Sequence, residues 1–237
     1  MIKKDSYFIK EGYQPNSLSK KNNNQKDSPF WNASRISSAI EFQYHVYQEA
    51  LKILNKNDIK KVLDVGSGPP IKIREIFDCE SIEIHLVDRY DVKKIAKKIL
   101  PLSIFHAADL ESINLELNQQ YELIICADVI EHLLNPVPCI SFIKRHLERN
   151  GIIVFSTPER DILRGSECFN CPHMDHVREW NQKEFKQFLE YNGFKIINQQ
   201  LLPQKRITNL LQQLLKYSSL VGFYPKSFAC QMVVCTL

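Results

Sequence analysis

The apolar residues of this chain follow two different periods. From Ser38 to Leu54 they recur at spacings of three and four, at Ala39, Phe42, Val46, Ala50 and Ile53, which predicts one helix with a single apolar face. From Lys61 onward short apolar runs take over, at Val62–Val65, Ile82–Val87, Leu102–His106, Leu123–Ala127 and Ile152–Ser156. Most contain β-branched residues and are too short for helices, so they read as strands. Helical patterns at Ile71–Phe77, Val92–Ile99 and Pro138–Leu147 lie between them. Strand–helix alternation of this kind predicts an α/β domain, a parallel sheet with helices on both faces. Asn150-Gly151 is expected to stop the helix before the fifth strand.

After Pro158 the pattern gives a long polar loop reaching Glu179. A helix is expected from Asn181, with Glu184 completing a capping box and Gly193 ending it. Two further apolar runs follow, Phe194–Leu202 and Phe228–Val234, with a leucine-rich helix expected over Ile207–Tyr217 between them. The stretch Ser17–Asp27 is Lys, Asn, Ser and Gln with a single leucine, too little apolar surface to offset chain entropy. Residues 1–37 are therefore expected to be a weakly ordered segment and 38–237 the folded domain.

Composition narrows this picture only modestly. A chain of 237 residues with 44% hydrophobic residues suits one α/β domain with a full core. The net charge of +4 is spread out, with no dense basic cluster, so nucleic acid is not expected as a partner. No apolar run approaches the ~18–20 residues of a membrane span, and no apolar h-region follows Met1. The seven cysteines, with no export signal, read as reduced thiols of a cytoplasmic enzyme.

The first strand ends in Val62-Leu63-Asp64-Val65-Gly66-Ser67-Gly68-Pro69-Pro70. Glycines at a strand–helix junction let a ligand approach the backbone, and free N–H groups at a helix start favour a carboxylate or phosphate. The second strand ends in Leu86-Val87-Asp88, where a carboxylate can take both hydroxyls of a ribose. The third leads to Ala107-Ala108-Asp109-Leu110, another strand-tip acid.

Over roughly Gln43 to Leu237 these motifs resemble the class I S-adenosylmethionine (SAM)-dependent methyltransferases. Val62–Gly68 looks like their first motif, Tyr121–Leu133 like their fourth-strand motif, and Gly151–Pro158 like their fifth strand. The resemblance implies a Rossmann-like, mostly parallel seven-stranded sheet with an antiparallel last strand, and SAM as cofactor. It implies that Asp64, Gly66, Ser67, Gly68, Asp88, Asp109, Leu110 and Asp128 hold SAM. One departure stands out: the usual third glycine of the first motif is missing and Pro69-Pro70 stand nearby.

Methyl transfer is an in-line displacement, and an oxygen nucleophile must also lose a proton to a base or beside a metal. Asp128, Glu131 and His132 follow the fourth strand at helical spacing, and Cys168–Trp180 is rich in Cys, His and acids. His132, Glu131 and His176 are the catalytic candidates. The Glu131-His132 pair resembles quinone-biosynthesis O-methyltransferases. The run His173-x-Asp175-His176-x-x-Glu179-Trp180 resembles small-RNA terminal 2′-O-methyltransferases, in which acids and histidines hold a divalent metal. A metal is not expected here; the matching positions are Asp128, Glu131, His132 and His176, with Asp128 where a glutamate is usual. Cys168, Cys171, His173 and His176 also have the residue types of a zinc site. The leading expectation is O-methylation of a small-molecule or sugar-like acceptor. The alternatives are a metal-dependent methyltransferase of RNA ends and, from the Pro69-Pro70 departure, a non-catalytic interaction subunit. The loop to Trp180 is expected to carry His176 into the site, with Arg178 and Trp180 either gripping an acceptor or pinning the loop.

Overall fold

A computed structural model describes residues 7–16, 31–207 and 225–237. Seven strands form one sheet in the order β3-β2-β1-β4-β5-β7-β6. They are β1 (Lys61–Val65), β2 (Glu83–Asp88), β3 (Ile104–Ala107), β4 (Tyr121–Ala127), β5 (Leu147–Pro158), β6 (Lys195–Leu202) and β7 (Cys230–Thr236). Strands β1 to β5 pair in parallel, and β7 inserts antiparallel between β5 and β6. The order reverses between β1 and β4, so the crevice for a ligand opens at their carboxyl ends.

Alternation along the strands divides the core into two layers. Leu63, Ile124, Ile153 and Val233 face α5 (Val137–His146) and α7 (Gln182–Tyr191). Val62, Leu123, Val154 and Val234 face α2 (Tyr44–Lys56), α3 (Ile71–Ile76) and α4 (Lys93–Ile99). Every strand buried on both faces reads as a continuous apolar run, as the sequence shows. The capping box at the start of α7 forms as expected: the Asn181 side chain accepts from the Glu184 N–H and Glu184 accepts from the Asn181 N–H.

Two expectations need correction. The helix expected over Ser38–Leu54 is two helices, α1 (Ala33–Glu41) and α2, broken at Gln43, whose φ is 55°. The apolar period runs straight through the break, which is why pattern alone joins them. Asn150-Gly151 does not stop α5. That helix ends at His146, with Lys144 and Arg145 in its last turn, whose charges suit a helix C-terminus. Gly151 lies inside β5, where a Cβ would sit 2.8 Å from the Leu147 side chain and 3.0 Å from the Tyr121 carbonyl. It is there for close packing.

The region between β5 and α7 is pinned, with a short helix α6 (Arg160–Arg164) at its start. Residues 7–16 lie against it: Gln14 N–H donates to Phe169 O and Asn16 N–H to Val177 O, both at 2.8 Å. Trp180 Nε1 donates to Tyr7 O at 2.8 Å, and Glu179 N–H donates to the hydroxyl of the buried Tyr13. Of the segment 1–37, residues 1–6 and 17–30 lie outside the described residues, as does the expected helix Ile207–Tyr217 beyond Ile207.

Candidate active site

Two groups of side chains meet at the carboxyl end of the sheet. The first surrounds the β1–α3 loop. Gly66 and Gly68 have φ of 75° and 53°, the left-handed region that glycine enters freely. A Cβ on Gly66 would sit 2.4 Å from Val129 Cγ2, and one on Gly68 would sit 2.8 Å from the Trp31 ring. The loop N–H groups are not free, contrary to expectation. Those of Gly66 and Ser67 donate to Val87 O, and that of Gly68 donates to Asp88 Oδ2 at 2.7 Å. Pro69 and Pro70 have no N–H to offer.

Asp64 is 1% exposed. Its Oδ2 accepts from the Tyr47 hydroxyl at 2.9 Å, and its Oδ1 has no partner among the described residues. Burial pushes its carboxyl up to about 7, against the opposing pull of Tyr47 and Lys72. Asp88 ends β2 and takes the N–H of Arg89 on its second oxygen at 2.6 Å. Asp109 caps its own turn, accepting from Glu111 N–H and Ser112 Oγ, with Leu110 buried behind it. Asp128 stands just past β4 with φ 52°; its carboxylate accepts from Ser156 Oγ at 2.6 Å and Gln43 Nε2 at 2.8 Å. Gln43 Oε1 in turn accepts from Lys72 Nζ at 3.3 Å, and Lys72 also donates to Ala39 O at 2.9 Å.

These residues suit SAM. The β1–α3 loop turns on two left-handed glycines, Asp88 stands at the tip of β2, and the buried, unpartnered Asp64 Oδ1 is an acceptor in need of a donor. Tyr47, Gln43 and Lys72 belong to this group and were not foreseen from sequence. Tyr47 and Lys72 sit on two helices, and Gln43 on the junction before the first, where apolar periodicity hides polar side chains that turn inward.

The second group centres on a short 3₁₀ turn, Ile130–His132. Glu131 is 0% exposed and both its carboxylate oxygens lack partners among the described residues. Burial, then the nearby Asp128, raises its pKa well above the usual carboxylate range. His132 Nδ1 lies 2.7 Å from Asp175 O, an acceptor, so Nδ1 holds the proton and Nε2 the lone pair. Burial of its inner side and then the adjacent His176 push His132 down to about 4. The His132 and His176 rings meet edge to face at 4.7 Å.

His176 Nδ1 lies 2.8 Å from Glu179 Oε1. Burial raises the Glu179 carboxyl, but hydrogen bonds from His176 and Arg164 outweigh it and hold the group at about 2. Glu131, His132 and His176 have ligand-capable atoms within 4.8 Å of one another, as do Cys171, His176 and Glu179. Asp128 belongs to neither set, its carboxylate being turned to Gln43 and Ser156. The four residues Cys168, Cys171, His173 and His176 do not gather as one zinc set among the described residues. Arg178 and Trp180 are anchors. Arg178 donates to Leu133 O and Leu134 O at 2.7 Å, and Trp180 is buried in the core.

The comparisons with known proteins identify the family and the fold. The family described as methyltransferase domain matches residues 38–199. A ubiquinone biosynthesis O-methyltransferase from Rickettsia typhi is 27% identical over 178 residues, 70% of this chain and 68% of that protein. A SAM-dependent methyltransferase from Clostridium acetobutylicum shares the fold with a TM-score of 0.57 at 12% identity, over 85% of this chain and 94% of that one. The methyltransferase domain of bacterial CtHen1 does so with a TM-score of 0.55 at 19% identity, over 82% and 98%. The chain belongs to the methyltransferase domain family. It is a SAM-dependent methyltransferase. All seven cysteines are free thiols, and no helix among the described residues is long and apolar enough to cross a membrane.

Proposed function

We propose that this methyltransferase acts on a hydroxyl of a small-molecule or sugar-like acceptor, with His132 receiving the proton. The observation that carries this reading is the fixed tautomer of His132. Its Nδ1–H is committed to Asp175 O, which leaves Nε2 as a neutral acceptor on an exposed side chain beside the sheet crevice. A hydroxyl is weakly nucleophilic until an acceptor draws off its proton, whereas a neutral amine is nucleophilic as it stands. His176, oriented by Glu179 and Arg164, stands beside His132 and supplies a second polar contact for the acceptor. The O-methyltransferase names of the curated relatives point the same way.

When bound, SAM supplies a methyl group activated on a sulfonium. The chain's own part is to orient the acceptor oxygen, exclude water and take the proton. The test is incubation with methyl-labelled SAM and paired panels of small phenols, sugars and amines, with the labelled product identified by mass spectrometry. A methyl ether is expected. Label found on nitrogen alone would overturn the reading.

A second reading has its own support. The unpartnered oxygens of Glu131 lie with two imidazoles, each with one ring nitrogen held, by Asp175 O for His132 and by Glu179 for His176. Metal-bound histidines are held in this way. A divalent cation there would lower the pKa of an acceptor hydroxyl, as at the terminal sugar of an RNA. This reading requires turnover abolished by a chelator, restored by Mg²⁺ or Mn²⁺, and RNA retention on a filter at low salt. Full turnover with chelator present removes it.

A further inference from the structure

The aminocarboxylate end of SAM carries an ammonium and a carboxylate, and the β1–α3 loop provides for neither by its backbone. The N–H groups of Gly66, Ser67 and Gly68 are spent on Val87 O and Asp88. The next two positions are prolines. A carboxylate placed there must find its positive partner in a side chain.

Lys72 is 7% exposed. Burying an ammonium is costly unless it is paired and hydrogen-bonded. Its hydrogen bonds run to two neutral oxygens, Ala39 O and Gln43 Oε1, while its electrostatic partners are the carboxylates of Asp64 and Asp128. Gln43 lies between: its Oε1 accepts from Lys72 and its Nε2 donates to Asp128. A primary amide presents an acceptor and a donor side by side. That is the hydrogen-bonding pattern of an α-amino acid end, with carboxylate toward Lys72 and ammonium toward an acid. Gln43 holds this position at φ 55°, a conformation costly for a residue with a Cβ. Asp64 Oδ1, buried and without a partner, offers the ammonium a second acceptor in the same group of residues.

We propose that Lys72 binds the carboxylate of SAM in the place Gln43 Oε1 now takes, with Asp64 Oδ1 and Asp128 receiving the ammonium. The inference concerns the cofactor alone and does not depend on which acceptor is methylated. It assigns to a lysine of α3 the work that the missing glycine and its free backbone would otherwise do. Lys72 acts on binding and takes no part in proton transfer.

The experiment compares ligands that differ only at this end. Calorimetry is performed with S-adenosylhomocysteine, which has the aminocarboxylate, and with 5′-methylthioadenosine, which lacks it. Lys72→Met should weaken S-adenosylhomocysteine binding at least tenfold and leave methylthioadenosine within twofold of wild type. Lys72→Arg, which keeps the charge, should recover part of the loss. Unchanged S-adenosylhomocysteine affinity in Lys72→Met, or an equal loss for both ligands, overturns the proposal. Should Lys72→Met not fold, the wild-type protein decides: decarboxylated SAM should bind at least tenfold more weakly than SAM, and equal binding overturns the assignment.

Discussion

Gln43 and Asp128 are joined by a 2.8 Å hydrogen bond although both have left-handed backbones, at φ 55° and 52°. For a residue with a Cβ this conformation costs roughly 1–2 kcal/mol. Two such costs at the two ends of one bond are not scattered noise. One breaks the N-terminal helical pattern into α1 and α2, and the other turns the chain at the tip of β4. Together they bring a helix junction onto the carboxyl end of the sheet, and they put an amide and an acid where the cofactor's polar end belongs.

The two histidines should separate binding from chemistry. His132→Ala and His176→Ala should each lower turnover by roughly 10²-fold or more, the usual scale for a positioned acid–base group. S-adenosylhomocysteine affinity should stay nearly constant, because neither ring belongs to the Asp64–Lys72 group. Steady-state kinetics beside calorimetry checks this. Loss of both together would mean the histidines hold the fold of the site rather than act in it.

Glu131 gives a pH prediction with a definite sign. Its pKa is raised in the folded protein, so the fold binds more protons than the unfolded chain above the ordinary glutamate range. Its contribution is therefore fully present below about pH 4.5 and is lost as pH rises toward the folded pKa. Glu131→Gln removes this dependence. The stability difference between variant and wild type should shift in favour of the variant as pH goes from about 4.5 upward, read by urea unfolding at several pH values. A difference independent of pH would mean Glu131 is ionised in the folded state.

Gly66→Ala should destabilise by about 2–4 kcal/mol, from overpacking plus a left-handed φ. The clashing atom is Val129 Cγ2, 2.4 Å from the added Cβ. Val129→Ala in the same chain should return about 1–2 kcal/mol, and the backbone strain should remain. Denaturant midpoints of the single and double variants measure both parts. No rescue by Val129→Ala would show the strain, rather than the contact, to be the whole cost.

The sheet was legible because its central strands are buried on both faces, and unbroken runs such as Leu123–Ala127 leave little choice of element. The strand-tip acids were legible because they follow those runs directly. Gln43, Tyr47 and Lys72 were not. Each interrupts or borders a helical pattern that reads as ordinary, and only the tertiary packing turns their polar ends toward Asp64 and Asp128. The helix break at Gln43 was hidden for the same reason: Phe42 and Val46 keep a spacing of four across it. Gly151 misled because a glycine after a helix normally marks its end, whereas here it lets β5 pass close to Tyr121. Arg178 and Trp180 were ambiguous from sequence, since a residue that grips a ligand and one that staples a loop have the same chemistry.

The clasp between residues 7–16 and the region from Phe169 to Trp180 sets an order in time. Synthesis delivers Tyr7, Tyr13 and Gln14 first, yet their partners Trp180, Glu179 and Phe169 come from the far side of five strands. A contact so distant along the chain forms late, because the loop it closes is long. Tyr7, Tyr13 and Gln14 therefore wait for their partners, and the wall holding His176 takes its final shape only after five of the seven strands have been made.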